Sequence, residues 1–129
     1  IRVTKRVHLA DALIGTGFPY TRFEHMDAYL AIFKELMQKT AGLRRPGSAA
    51  LDLAWTAAGR YDGFFETGLK PWDIAAGTLL ITEAGGMVSD LNGNEGYMKS
   101  CHVCAGNPEI HPQLLKVMAP HLTAGLKGK

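Results

Sequence analysis

The chain has 129 residues, of which 47% are hydrophobic and 20% charged, and its formal net charge is +2. This composition is typical of one globular domain, and the small, scattered charge argues against direct binding of nucleic acid or an anionic membrane. No apolar run approaches the roughly 18 residues that span a bilayer, and no signal peptide is recognisable, so we expect a cytoplasmic protein.

In the first half of the chain the hydrophobic pattern alternates between strand and helix. The predicted elements are a strand within 10–17, a helix within 23–42, a second helix within 44–59, and a short strand and loop over 60–68. The first helix carries one apolar stripe and stops at Gly42. Ser48 stands where the second helix begins and can accept a backbone amide as its cap.

The second half continues the same alternation. It comprises a helix over about 73–84 that Gly85 and Gly86 terminate, a strand within 86–93 that ends in an Asn92-Gly93 turn, a strand over 101–107 and a last helix within 108–122. This order predicts a layered α/β domain with helices covering a sheet. The middle helices are apolar nearly all round, which is expected of helices sandwiched between layers.

The two cysteines, Cys101 and Cys104, form a Cys-x-x-Cys pair. Such a pair can be a redox couple or half of a zinc site. It lies in an apolar stretch rather than at a helix start, where a thiolate would be stabilised. Only His102 and His111 are close enough in sequence to complete a metal site. We interpret the cysteines as reduced and structural.

Asp73, in the stretch GLKPWDIAAGTLLITEAGG, has two possible roles. An aspartate at a helix start commonly accepts backbone amides, and this one could also ligate a cation. Glu66 lies seven residues earlier, at the end of a predicted strand, where open α/β sheets place their ligands. We interpret Trp72, beside Asp73, as a core-packing side chain.

A second helix start, in the sequence Pro-Gly-Ser-Ala-Ala, is rich in small residues and suits an anion or a hydroxyl-rich ligand. Two carboxylates combined with two such helix starts favour a polyol phosphate bound together with hard cations. Oxygen ligands are those that Mg²⁺ prefers. The residues alone therefore lead to a hypothesis of a magnesium-assisted phosphate site, with helix capping as the alternative for Asp73.

The stretch PWDIAAGTLLITEAGG resembles the second signature of the inositol monophosphatase family, and RRPGSAALDLAWTAAGRYDGFFETGLKPWD is similar to the segment before it, above all in bacterial members described as extragenic suppressor proteins. The likeness continues through GMVSDLNG and AGNPEI. It implies an αβαβα sugar-phosphatase fold and a cytoplasmic, homodimeric, magnesium-dependent and lithium-sensitive phosphomonoesterase. Its substrate would be myo-inositol 1-phosphate.

The resemblance also implies roles for individual residues. Asp73 matches the aspartate that ligates a catalytic Mg²⁺ and touches the substrate, and Glu66 matches the glutamate that binds inositol hydroxyls. Gly47, Ser48 and Ala49 match a small-residue segment that contacts substrate at a helix start. Arg44 and Arg45 could approach a phosphate, but we favour exposure to solvent or a subunit interface for both.

The family's first signature, an Asp-Pro-Ile-Asp-Gly-Thr block, and an upstream glutamate are absent from this sequence. Residues 1–129 therefore resemble the C-terminal α/β part of such a protein, without its N-terminal metal-binding half. We expect these residues alone to bind Mg²⁺ weakly and to hydrolyse inositol phosphate negligibly.

Two alternatives stay open. Members of the same superfamily act on fructose 1,6-bisphosphate or on 3′-phosphoadenosine nucleotides. The bacterial subgroup also resembles a non-catalytic partner of RNA polymerase in antitermination, and Lys70 lies in a loop that could contact such a partner.

Overall fold

The computed structural model describes residues 1–17 and 23–127 of the chain. The described residues form five strands, β1 (Leu13–Thr16), β2 (Gly42–Arg44), β3 (Gly63–Glu66), β4 (Met87–Ser89) and β5 (Val103–Gly106), and five α-helices, α1 (Met26–Lys39), α2 (Ala49–Ala57), α3 (Pro71–Glu83), α4 (Tyr97–Ser100) and α5 (Ile110–Met118). Short 3₁₀ turns occupy Leu9–Asp11, Phe23–His25 and Ala119–His121.

The five strands make one mixed sheet in the order β2-β1-β3-β5-β4. β1 pairs in parallel with both β2 and β3, whereas β5 runs antiparallel to β3 and β4. Because β1, β2 and β3 point the same way, the loops that follow them leave from one edge of the sheet. The predicted α/β class, with a sheet covered by helices, is confirmed.

Alternate residues of the strands build a core on each face of the sheet. Phe64 and Phe65 are adjacent in β3, are both fully buried, and belong to opposite cores. Helices α1 and α5 contribute to the core of Phe65, and α2 and α3 contribute to that of Phe64. The strands therefore have apolar side chains on both faces, as expected for a sheet with helices on either side.

Helices α2 and α3 lie against each other with little space between them. A Cβ atom placed on Gly77 of α3 would be 2.5 Å from the Cβ of Leu53 of α2, so only glycine allows this approach. Both helices follow parallel strands, and each begins at the same edge of the sheet. Their close packing fixes the first turn of α3 relative to the first turn of α2.

The predicted elements were found with shifted ends and two omissions. The sequence interpretation missed β2 and α4, which have three and four residues and are too short to show a hydrophobic period. Helix α3 begins at Pro71, two residues before the predicted start. It ends as predicted, because Gly85 has a φ of +89° and Gly86 donates its N–H to the carbonyl of Ile81 at 2.8 Å.

The predicted turn at Asn92-Gly93 was also found, but it does not connect two paired strands directly. Asp90 Oδ1 accepts the amides of Asn92 and Asn94 at 2.9 Å, and Gly93 has a φ of +84°. Strands β4 and β5 pair with each other, yet α4 lies between them in the chain. The turn therefore reverses the chain into α4 rather than into β5.

The outer face of α3 remains exposed, which corrects the expectation that the middle helices are covered on both sides. Trp72 is 76% exposed, so its predicted role in the core is wrong for this chain. It lies opposite Ile74 and Ile81, which face the sheet, and Leu79 and Leu80 are exposed with it. None of the helices in the described ranges is long and apolar enough to cross a membrane.

Candidate active site

The predicted site residues lie at the edge of the sheet where β1, β2 and β3 end. Gly17 follows β1, the segment that leads into α2 follows β2, and Glu66 is the last residue of β3. A short loop then connects Glu66 to α3, whose first turn contains Asp73. This is the position at which parallel strands of α/β proteins present ligand-binding groups.

Asp73 is the third residue of α3, and Lys70 is the residue that caps the helix. The Oδ2 atom of Asp73 accepts the backbone amide of Lys70 at 3.0 Å. The Oδ1 atom of Asp73 takes no hydrogen bond from the described part of the chain. The side chain is half-buried. One oxygen therefore has the predicted capping function, and the other remains available to a cation or a hydroxyl, so the two roles are compatible.

Glu66 lies over the backbone of Gly17. A Cβ atom on Gly17 would overlap the carboxylate of Glu66, so the missing side chain provides the space that this carboxylate occupies. The pKa of Glu66 is raised to about 7, mainly by burial and in addition by the charges of Asp52 and Asp73, while the charge of Arg45 acts in the opposite direction. Near neutral pH this carboxyl group can donate or accept a hydrogen bond.

Asp52 is a buried carboxylate that the sequence interpretation did not single out. It lies one turn into α2, is fully buried, and neither of its oxygens has a hydrogen-bond partner in the described part of the chain. Burial raises its pKa to about 6. The signal in the sequence was an acidic residue, between Leu51 and Leu53, within an otherwise apolar helix.

The start of α2 has the predicted form. Gly47 has a φ of +93°, Ser48 is the N-cap, and its Oγ accepts the amide of Leu51 at 3.4 Å. Ala49 is the first helical residue. These three residues are exposed or half-buried and lie one turn before Asp52, whose charge acts on Glu66.

Of the two arginines, one is linked to this group. Arg45 is exposed, and its charge lowers the pKa of Glu66. Arg44 ends β2, is exposed, and donates from Nη1 to the carbonyl of Leu43. The edge of the sheet therefore brings three carboxylates and one guanidinium within electrostatic range of one another.

The residues of the Cys-x-x-Cys pair lie close to this edge, where β5 begins. Both cysteines are free thiols, and Cys104 is buried in β5. Burial raises the pKa of the Cys104 thiol, so it remains protonated and unreactive. Within residues 1–17 and 23–127 no group of three or more His, Cys, Asp or Glu side chains is arranged to hold a metal ion.

A shallow groove elsewhere on the surface is separate from the site. It is lined by residues 2–5 together with Ala84, Gly85 and Pro108. Ala84 follows the last turn of α3, whereas Asp73 is in the first. Eleven residues of helix separate the two by roughly 16 Å along the axis.

Comparison with known proteins identifies the group to which this arrangement belongs. The sequence model of the inositol monophosphatase family matches residues 1–123. The chain belongs to this family. It is similar to the Nus factor SuhB of Pseudomonas aeruginosa, with 49% identity over 129 residues that cover 98% of the chain and 48% of the relative. It is also 49% identical over 124 residues to the inositol-1-monophosphatase of Mesorhizobium japonicum, with 96% and 47% covered.

A solved structure of an inositol monophosphatase family relative has the same fold over this region. The extragenic suppressor protein suhB from Bartonella henselae superimposes with a TM-score of 0.87 and 42% identity, covering 91% of this chain and 45% of the relative. The chain thus spans about half the length of the relatives it matches. Its mixed sheet and packing helices correspond to one part of the longer family fold.

Proposed function

We propose that the gene product containing this chain is a magnesium-dependent phosphomonoesterase that hydrolyses myo-inositol 1-phosphate to inositol and phosphate. This chain would provide the substrate-binding part and one metal ligand. The observation on which the proposal rests is that Asp73 and Glu66 lie at the same edge of the sheet, close enough for the charge of Asp73 to raise the pKa of Glu66. Family membership and the 49% identical inositol-1-monophosphatase of M. japonicum support it.

The donor atoms at this edge are suitable for Mg²⁺. Asp73 has one oxygen fixed by the amide of Lys70 and the other without a hydrogen bond from the described residues, and carboxylate oxygens are the protein ligands that Mg²⁺ takes. When bound, the ion activates water and neutralises charge on the phosphate. The described residues offer no group of three or more such side chains, so the proposal assigns the remaining ligands to water, to the substrate phosphate and to other parts of the gene product.

The chain's own residues would then bind and orient the substrate. Asp73 would ligate the ion, and Glu66 would bind hydroxyl groups of the ring. The small residues Gly47, Ser48 and Ala49 allow the substrate to approach the first turn of α2 closely. Arg45 places a positive charge near Glu66 and opposes the mutual repulsion of the carboxylates.

Asp73→Asn tests this assignment without removing the helix cap. An asparagine Oδ1 can still accept the amide of Lys70, but the charge that binds the cation is lost. We expect kcat for myo-inositol 1-phosphate to fall by about 100-fold or more, because metal coordination is lost while the fold is kept. Glu83→Gln, the same kind of change at the exposed end of α3, is the matched control and should have wild-type rates.

A substrate panel defines the specificity. Phosphate release is measured from myo-inositol 1-phosphate, fructose 1,6-bisphosphate and a 3′-phosphoadenosine nucleotide, with and without Mg²⁺ and Li⁺. Preference for either of the last two would replace the proposed substrate. Equal rates for Asp73→Asn and wild type would disprove the metal-binding role.

Residues 1–129 alone should be inactive in the same assay. Sedimentation of the gene product tests the predicted homodimer.

A second candidate function is suggested by the name of a relative. The P. aeruginosa protein that is 49% identical to this chain is named Nus factor SuhB. We propose as the alternative that the gene product joins an RNA polymerase antitermination complex, with the exposed Lys70 at the contact. Co-purification of polymerase that persists in Asp73→Asn and is lost in Lys70→Glu would support this role, and unchanged capture by Lys70→Glu would exclude that contact.

A further inference from the structure

We propose that His102 is a positioning residue of this site, holding the loop between Glu66 and Asp73 through its Nδ1 atom. The inference rests on the proposed function, since it concerns the geometry of the same two carboxylates. It also gives a role to the histidine within the Cys-x-x-Cys pair, which neither the zinc nor the redox interpretation of that motif explains.

His102 lies where the antiparallel pairing of β3 and β5 ends. Glu66 is the last residue of β3 and pairs with Val103. Beyond this pair, the segment that follows β3 and the segment that precedes β5 are connected by two further hydrogen bonds. The amide of Leu69 donates to the carbonyl of Cys101 at 2.9 Å, and the amide of Gly68 donates to His102 Nδ1 at 3.0 Å. The loop after Glu66 is therefore attached to the segment that enters β5.

The side chain of His102 replaces a backbone acceptor at this point. Gly68 has a φ of +69°, a conformation that turns the chain out of the regular strand pairing. Its partly buried amide would have no acceptor from the β5 ladder, and an unsatisfied amide of this kind is unfavourable. The imidazole provides the acceptor, which requires that Nδ1 be unprotonated and that the ring proton be on Nε2.

The imidazole is itself held in place. His102 is 4% exposed, and its ring packs edge-to-face against that of His25 with centroids 5.3 Å apart and an interplanar angle of 88°. The backbone amide of His102 donates to Ser100 Oγ at 3.3 Å. A buried ring with these contacts has little freedom, so the Gly68 amide meets an acceptor at a fixed position.

The loop transmits this position to both carboxylates. Gly68 is two residues after Glu66, and Lys70, two residues further on, donates its amide to Asp73 Oδ2. A hydrogen-bonded path therefore runs from His102 through the loop to Asp73. Displacements of about 1 Å in an active site can lower rates by about 100-fold. If the loop is released, we therefore expect turnover to fall further than the loss of folding stability would explain.

Two substitutions of His102 separate the acceptor from the bulk of the ring. In His102→Asn the amide oxygen lies close to the position of Nδ1 and can accept the Gly68 amide, whereas His102→Leu cannot. The control is His111→Leu, because His111 is also buried and also bonds a polar group, Ser89 Oγ at 2.8 Å, which belongs to β4 and not to the loop between Glu66 and Asp73. All three are made in the gene product, and kcat, KM and Mg²⁺ affinity are measured.

We expect His102→Leu to lower kcat/KM by about tenfold or more and to weaken Mg²⁺ binding, with His102→Asn within about threefold of wild type. His111→Leu should lower the melting temperature about as much as His102→Leu does, and it should leave kcat/KM unchanged. The inference is overturned if His102→Leu has wild-type kinetics, or if His102→Asn is as impaired as His102→Leu.

A separate measurement distinguishes failure of this inference from failure of the proposed function. If the wild-type gene product releases no phosphate, the proposed function is wrong, and ¹⁵N NMR still tests the hydrogen bond. An unprotonated Nδ1, together with a Gly68 amide that is protected from exchange in wild type and exposed in His102→Leu, supports the role of His102. A protonated Nδ1 or a freely exchanging Gly68 amide in wild type overturns it.

Discussion

Asp52 provides the most direct test of the electrostatics of this site. Its carboxylate is fully buried and has no hydrogen-bond partner in the described part of the chain, and burial raises its pKa from 3.8 to about 6. That difference corresponds to about 3 kcal/mol between the charged and the neutral forms. The folded chain therefore bears an unfavourable charge at neutral pH, and Asp52→Asn removes it.

The sign of the pH dependence follows from the raised pKa. Below about pH 4 the carboxyl group is protonated in the folded and unfolded chains alike, and its charge has no effect on stability. Between about pH 4 and pH 6 the unfolded chain has lost this proton while the folded chain still holds it, so the stability of wild type falls relative to that of Asp52→Asn, and above about pH 6 the difference is constant. The advantage of the variant should thus grow by up to about 3 kcal/mol between pH 4 and pH 8.

Urea denaturation of the two chains near pH 4 and near pH 8, followed by circular dichroism, measures this change. Any cost of burying the asparagine amide is the same at both pH values and cancels from the comparison. Glu95→Gln, the same kind of change at an exposed loop position, is the control and should show no such trend. A difference between wild type and Asp52→Asn that is the same at both pH values would refute the reasoning.

The remaining predictions concern backbone positions. Gly17→Ala should displace Glu66 and raise KM for the inositol phosphate by about tenfold, which steady-state kinetics of the gene product would measure. Gly77→Ala should lower the free energy of unfolding by about 1–3 kcal/mol, because its methyl group meets Leu53, and a urea titration would detect this. Cys101→Gly should raise the melting temperature, with a gain of up to about 1 kcal/mol, since Cys101 has a φ of +62°.

One glycine serves as a control for both alanine substitutions. A Cβ on Gly96 would have Asp90 Oδ2 as its nearest neighbour at an ordinary 3.7 Å, and its φ is negative. Gly96→Ala should therefore change neither KM nor the free energy of unfolding appreciably. If it has the same effects as Gly17→Ala and Gly77→Ala, those effects do not arise from the close contacts.

The long helices and the central strands could be predicted because their side chains repeat with a clear period. The stripe of α1 and the glycine pair after α3 are local signals, and the structure has both elements. Strand β2 has no such signal, because Gly42–Arg44 contains three residues and is defined by its parallel pairing with β1. That pairing joins residues about thirty positions apart, which no local pattern reveals.

The candidate site was predictable only in part, for the same reason. Asp73 and Glu66 stand out as carboxylates at element boundaries, and resemblance to the family indicates what they do. The space that Gly17 leaves for Glu66 depends on two strands that meet after folding. The effect of Asp52 on Glu66 likewise crosses from a helix to a strand, and the exposure of Trp72 depends on which side of α3 packs against the sheet.

The exposed indole of Trp72 also makes this chain convenient to study by fluorescence. The other tryptophan, Trp55, is half-buried, with the ring of Tyr61 5.9 Å away and the guanidinium of Arg60 over it. Trp72 should therefore emit at longer wavelength and be quenched more readily by acrylamide. Any ligand or polypeptide that settles on the first turn of α3 will shift its emission to the blue, so binding beside Asp73 can be followed without a label.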